Sequence, residues 1–233
     1  MSQGDVTVPR GAGQSILQGV EALAADIRSR LAARSGRLMV GLAGSPGSGK
    51  STVAALLMDA FGTDAALVPM DGFHLANEKL EILGRRNRKG APDTFDAHGY
   101  VALLERCRAA GDVTVYAPRF VREIEESYGS AIAVPPRARI VITEGNYLLF
   151  DEEPWGELGD VLDVRYHLAV DEDLRRERLI ARHIAFGKSA EDAREWALGP
   201  DEANAVRIEA ASARADAVVR LSVMRTPSPL RAG

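Results

Sequence analysis

Apolar residues along this chain fall into two rhythms. Five short runs are almost continuously apolar: Arg37 to Ala43, Ala65 to Met70, Ala138 to Thr143, Val161 to Val170 and Ala217 to Leu221. Runs of this length and density predict strands buried on both faces, as in a parallel sheet. Between them the spacing changes to three and four. Ile16, Leu17, Val20, Leu23, Ala24, Ile27 and Leu31 predict a helix over Ser15 to Arg34. Further helices are expected at Thr52 to Phe61, Leu75 to Leu83, Ala97 to Ala110, Leu174 to Phe186 and Asp201 to Ala213. Strands alternating with helices predict an α/β fold: a mostly parallel sheet covered by helices on both faces, a three-layer α/β/α sandwich. In such sheets ligands collect at the carboxyl ends of the strands. Residues 1–13, rich in Gly and small polar types, are expected to form a flexible N-terminus, and 14–233 one domain.

Composition narrows the field by exclusion. The 233 residues are 46% hydrophobic and 27% charged, with a mean hydropathy of -0.11, ordinary values for a globular chain. A formal charge of -4 argues against a general binder of nucleic acid or anionic membranes, so any anion binding must be local. The lone Cys107 cannot close an intrachain disulfide, and no Cys/His cluster has zinc spacing. No basic-then-apolar leader opens the chain, and no run approaches the roughly 20 apolar residues a membrane helix needs. The expectation is a cytoplasmic protein that engages neither membrane nor nucleic acid.

Chemistry enters at Gly44-Ser45-Pro46-Gly47-Ser48-Gly49-Lys50-Ser51, which matches the phosphate-loop pattern G-x-x-x-x-G-K-[ST] without a mismatch. Its flanks agree, with an apolar strand before it and a helix after it that stops at Gly62. Strand, glycine turn and helix bring backbone N–H groups and the helix dipole onto a polyanion. Residues Gly44 to Thr52 are therefore expected to bind a nucleoside triphosphate, ATP. Lys50 can reach the β- and γ-phosphates and the Ser51 hydroxyl can ligate Mg²⁺. The bland alternative, a glycine-rich surface loop with an incidental Lys, does not account for those flanks.

Two carboxylates end other strands. Asp71 follows the loop by one helix and one strand, the reach of a βαβ unit, so both can face one crevice. There it could accept a proton from an attacking hydroxyl; the competing reading is a turn-forming Asp in Asp71-Gly72. Glu144 closes an apolar strand before Gly145, where a buried carboxylate is costly unless a metal or donor meets it. It is a candidate for Mg²⁺ and for the substrate site, against the alternative of bonding only to neighbouring backbone N–H groups.

With the phosphate loop, the chain shows Asp71-Gly72-Phe73-His74, Ala91-Pro92-Asp93-Thr94-Phe95-Asp96, Tyr116-Ala117-Pro118-Arg119-Phe120, Glu144-Gly145-Asn146-Tyr147-Leu148-Leu149 and Arg178-Leu179-Ile180-Ala181-Arg182-His183, in that order. In these segments, over Val40 to Asp216, it resembles the phosphoribulokinase/uridine kinase family of P-loop kinases, with a particular similarity to bacterial pantothenate kinases and sugar-transport-associated kinases. The resemblance implies a P-loop fold with a small helical lid near 175–200, and ATP-dependent phosphorylation of a small-molecule alcohol. It implies Asp71 as base or orienting group, Phe95, Asp96 and Arg119 in the acceptor pocket, and lid arginines Arg178 and Arg182 on the phosphates. Spacing of four residues independently puts both guanidinium groups on one helix face, although the neighbouring Glu172, Asp173 and Glu177 could tie such arginines into a solvated surface. Gly72 stands where uridine kinases usually carry Ser, and the extra substrate segments of pantothenate kinases have no counterpart here.

The run Arg85-Arg86-Asn87-Arg88-Lys89 is the one concentrated basic patch, either over the acceptor or merely solvated. Arg119 and Arg122 form a second cationic pair with the same two readings. His74 adjoins the proposed base. Tyr147, Trp155 and Trp196 could stack on a ring or pack in a core, and Asn204 could touch the adenine or sit on an exposed helix. His98, His167 and His183 read as structural. Expected partners are ATP, Mg²⁺ and a small alcohol, with a homodimer as the assembly considered. The functional alternatives are a nucleotide-dependent switch acting on a protein, which the missing Asn-Lys-x-Asp signature disfavours, and a kinase of a polymeric acceptor such as RNA.

Overall fold

The structure is a computed structural model that describes residues 14–221, apart from Ala110. The expectation for residues 1–13 lies outside the described residues. In chain order the elements are β1 (Ser15–Gln18), α1 (Gly19–Ala32), β2 (Leu38–Ala43), α2 (Lys50–Phe61), β3 (Ala65–Pro69), α3 (Asn77–Ile82), α4 (Ala97–Ala109), β4 (Val115–Val121), β5 (Glu126–Val134), β6 (Ile140–Gly145), α5 (Leu158–Val161), β7 (Val164–Ala169), α6 (Glu172–Ala185), α7 (Ala190–Leu198), α8 (Pro200–Ala211) and β8 (Ala217–Arg220).

Six strands form one sheet in the order β1-β8-β7-β2-β6-β3, every pair parallel. The central strands are buried along their whole length, and their alternate side chains feed two different cores. Val40, Leu42, Ile140 and Ile142 pack with Leu23 and Ile27 of α1 and Val53 and Leu57 of α2. Met39, Ala43 and Val141 pack on the other face with Tyr100, Val101 and Leu104 of α4 and Ile208 of α8. Three layers therefore follow from an apolar face on both sides of the sheet, and the α/β expectation holds. Ile142→Ala, at a site with 0% exposure, is expected to cost about 2–5 kcal/mol in denaturant unfolding, because the cavity it opens cannot fully collapse.

One predicted boundary is wrong. Ser15 to Gln18 is a strand, not the first turn of a helix: it pairs with β8 from Ser15–Ala217 to Gln18–Arg220. The backbone of a neighbouring strand satisfies more hydrogen bonds there than a helix start would. Gly19, at φ +83°, turns the chain into α1.

The antiparallel hairpin β4–β5 stands apart from the sheet. Its β5 side chains are mostly exposed, so no core-facing rhythm marked it. It leans on the 3₁₀ turn Met70–Phe73 that follows β3. Contact is so close that a Cβ on Gly72 would lie 2.5 Å from the Pro118 carbonyl oxygen. A residue with a side chain at position 72 would push the hairpin away from Asp71.

Candidate active site

Register sets the geometry of the strand ends. Strand β6 runs between β2 and β3, so Glu144 lies level with Leu42 on one side and Pro69 on the other. The loop that follows β2 and the turn that follows β3 thus flank Glu144, with Asp71 on the far side. All of them open into one cavity of about 620 Å³.

On the loop side, Gly47 and Gly49 take φ of +85° and +91°, values that disfavour any residue with a Cβ. A Cβ on Gly47 would also meet the Arg175 carbonyl oxygen of α6 at 2.6 Å. The chain enters α2 at Lys50, whose Nζ donates to the carbonyls of Gly44 (2.7 Å) and Ser45 (3.1 Å). Burial pushes the Lys50 ammonium down to about 8; nearby Glu144 opposes the shift and Arg182 reinforces it. Ser51 donates its hydroxyl to Glu144 Oε1 at 2.9 Å. Burial first, and repulsion from Asp71 second, raise the Glu144 carboxyl above its ordinary range.

Ser45 turns away from the cavity and donates to Glu209 Oε1 at 2.7 Å, while Glu209 Oε2 lies 3.0 Å from His167 Nε2. This partly buried link ties the loop to α8 and β7. Its partners are far apart in sequence, so no local pattern announced it. Ser48 is buried as well, and the cavity wall is made by Pro46, Gly47, Gly49, Lys50, Ser51 and Thr52.

On the other side, Asp71 accepts a charge-assisted hydrogen bond from Arg122 at 2.9 Å. His74 lies between rings, with centroids 4.0 Å from Phe95 and 4.9 Å from Phe120. Burial drives its imidazole down to about 4, so it is neutral at pH 7; Asp71 opposes that shift, while Lys89 and Arg122 add to it. Phe95 and Arg122 line the cavity as expected for site residues.

Three residues expected on the acceptor side lie elsewhere. Asp96 is exposed and accepts from the Gly99 amide at 2.9 Å, capping the start of α4. Arg119 is exposed on β4, next to Phe120 but on the opposite face of the strand, outside the cavity wall. Tyr147 is fully buried, packed on Phe95, Phe150 and Trp155, and its hydroxyl donates to the Gly90 carbonyl. The basic run divides: Arg86 and Lys89 face the cavity, whereas Arg85 and Arg88 are paired with Asp93.

Helix α6 covers the site. Buried Arg175 reaches the Pro46 carbonyl and pairs with Glu202 of α8 at 2.6 Å, which roots the helix on the phosphate loop. One turn further, Arg178 and then Arg182 line the cavity from above. Burial, and Arg122 nearby, lower the pKa of Arg182 from its ordinary value. Helix α7 brings Trp196, over which Lys188 sits at 4.5 Å, and α8 brings Asp201 and Asn204. Sequence rhythm missed α7, although Ser189 followed by Asp192 is a capping pattern; the Ser189 hydroxyl accepts from the Asp192 amide.

A model of the phosphoribulokinase/uridine kinase family matches residues 39–226. The chain belongs to that family. Like the family, it is a kinase, and the match spans the loop, the Asp71 turn, β6 and the whole α6–α8 cover. A candidate uridine kinase of Schizosaccharomyces pombe is 36% identical over 206 residues, which are 82% of this chain and 88% of that one. The uncharacterised protein YggC of Escherichia coli is 34% identical, over 80% of this chain and 78% of its own. Among solved structures, a candidate fructose transport system kinase from Silicibacter is 41% identical with a TM-score of 0.78, covering 85% of this chain and 98% of its own. Among the described residues of this family member, no helix is long and apolar enough to cross a membrane.

The pKa of Lys50 gives this kinase a pH dependence. A lysine held at about 8 when folded and 10.5 when unfolded binds fewer protons in the native state between those values. Folding stability should therefore rise with pH through that window. If the Lys50 ammonium meets the nucleotide phosphates, anion affinity should move the opposite way and weaken as pH climbs above about 8. Titrating nucleotide affinity from pH 7 to 9.5 tests this. Lys50→Arg, charged throughout, should flatten that dependence.

Proposed function

We propose that this kinase transfers the γ-phosphoryl group of ATP to a hydroxyl of a small metabolite held beside Asp71. The observation that carries the reading is the single cavity in which Lys50, Ser51 and Glu144 face Asp71, with Arg178 and Arg182 above both. Phosphate oxygens would lie on the amides of the Gly47 to Ser51 turn and on Lys50, where the start of α2 adds its dipole. Asn204 is proposed to contact the base.

Among the described residues no group of three His, Cys, Asp or Glu side chains is placed to hold a metal. A divalent cation here would therefore draw most of its ligands from phosphate and water, as Mg²⁺ prefers. Ser51 and Glu144 fit as its protein contacts: the raised proton affinity of Glu144 marks a carboxylate short of compensating charge. When bound, Mg²⁺ would neutralise charge between the β- and γ-phosphates.

In the transfer itself, the acceptor oxygen bonds to the γ-phosphorus as the bond to the β–γ bridging oxygen breaks, ADP leaves, and the acceptor proton passes to Asp71. Arg122 holds the Asp71 carboxylate in place for this. Arg178 and Arg182 offer donors to charge that grows on the transferring group. The names of the relatives differ, a uridine kinase in one and a kinase of a fructose transport system in another, and set no single acceptor. Acceptor-dependent ADP release across nucleosides, sugars and polyols tests the reading; a protein that binds nucleotide yet answers to none of them would instead fit a switch.

A further inference from the structure

Helix α8 meets the cavity near its start and holds the phosphate loop nearer its end. Asp201 and Asn204 line the cavity. Glu209, further along the same helix, does not: its Oε1 accepts from the Ser45 hydroxyl at 2.7 Å, and its Oε2 lies 3.0 Å from His167 Nε2. Burial would raise the Glu209 carboxyl, yet the bonds from His167 and Ser45 outweigh it and hold the group below its ordinary range. At neutral pH Glu209 is therefore a carboxylate. It only accepts, so both neighbours must donate to it.

His167 makes this a fixed bracket. It lies level with Ala43, the last residue of β2, and its ring is fully buried. Among the described residues its Nδ1 is buried without a partner, so the ring hydrogen sits on Nε2, where Glu209 takes it. Ser45 is held at both ends: its hydroxyl by Glu209, and its carbonyl by Lys50 at 3.1 Å and the Ser48 amide at 3.0 Å. The next residue is held from the same helix. Glu202 pairs with Arg175, whose Nη1 lies 3.5 Å from the Pro46 carbonyl oxygen. Two acids of α8 thus fix residues 45 and 46, just ahead of Gly47 and Gly49, which have the most backbone freedom to lose. A loop ordered before its ligand arrives loses less entropy on binding.

Resting on the reading that this loop receives the phosphates of ATP, we propose that Glu209 is a positioning residue for nucleotide binding. Through the Ser45 hydroxyl it presets the phosphate loop, and His167 braces its carboxylate from behind. Neither Ser45 nor Glu209 lines the cavity, so what they contribute to affinity reaches the phosphates through the loop backbone. The contribution belongs to the phosphate end alone. A bare polyphosphate should feel it as much as a nucleotide does.

The test measures, by calorimetry on the full chain, binding of a non-hydrolysable ATP analogue and of inorganic tripolyphosphate, each with Mg²⁺. Ser45→Ala and Glu209→Ala should each weaken both ligands by about fivefold or more, the scale of one charged hydrogen bond. The double variant should bind no more weakly than the weaker single, because both substitutions break the same link. Glu209→Gln should stay within about threefold of the native affinity, since its oxygen can still accept from Ser45. Its thermal midpoint should nonetheless fall: an amide facing His167 moves the ring hydrogen to the unpartnered Nδ1. Ser45→Ala leaves the bond to His167 intact and should keep the ligand-free midpoint, which certifies its folding. A packing role alone would give lower midpoints with unmoved affinities. A loss short of about fivefold in either alanine variant, losses that add in the double variant, or a loss on the analogue that spares tripolyphosphate overturns the inference and leaves the ATP reading standing. A native chain that binds neither ligand overturns both.

Discussion

Replacing Asp71 by Asn is expected to lower kcat by about two to four orders of magnitude, the usual contribution of a positioned general base. Nucleotide affinity should change by about threefold at most, because the proposed nucleotide site is made by the loop amides and Lys50. Asn keeps the volume of Asp and an oxygen that can still accept from Arg122, at 2.9 Å in the native pair. The 3₁₀ turn and the seat of the hairpin at Gly72 and Pro118 need not move. What disappears is the negative charge and the ability to take a proton. A fall in kcat with an unmoved nucleotide Kd isolates that property. Full turnover by Asp71→Asn on the true acceptor would remove the residue from the base role.

Lys50→Met should give the second large effect, with a double signature. Catalysis should fall by about two to three orders of magnitude, as when one preorganised donor to developing charge is removed. At the same time the nucleotide-free protein should become more stable. Lys50 is 8% exposed and its ammonium is pushed down to about 8 by burial, and methionine fills a similar volume with no charge to desolvate. Thermal unfolding should show a higher midpoint without nucleotide and a smaller shift on adding it, since ligand stabilisation scales with occupancy. A merely structural lysine would show the reverse pattern: lower stability and an unchanged nucleotide shift. The two variants therefore separate the two ends of the cavity, one through kcat alone and the other through binding and stability together.

Both predictions depend on the β4–β5 hairpin as much as on the sheet. It carries Arg122, which fixes Asp71, and Phe120, which flanks His74. It also makes Gly72 necessary, since the Pro118 backbone leaves no room for a Cβ. In this protein the segment that differs most from a plain sheet-and-helix pattern is the one that shapes the Asp71 side of the cavity.

The sequence alone determined what depends on short-range chemistry and on simple periodicity. Continuous apolar runs place the central strands, and the loop motif between strand and helix announces a phosphate site, because both arise from neighbours within a few residues. Strand-end positions likewise point to Asp71 and Glu144. Tertiary structure alone decided which cations serve the site and which are spent elsewhere: Arg122 on Asp71, Arg88 on Asp93, Arg175 on the Pro46 carbonyl. It alone turned Asp96 into a helix cap and Tyr147 into core, and joined Ser45 to Glu209 and His167. The physical reason is that a side chain's role follows from the partners that share its surroundings, and for Ser45 that partner lies 164 residues away. The strand at Ser15–Gln18 shows the same rule for backbone, whose conformation was chosen by a distant edge at β8 rather than by its own pattern.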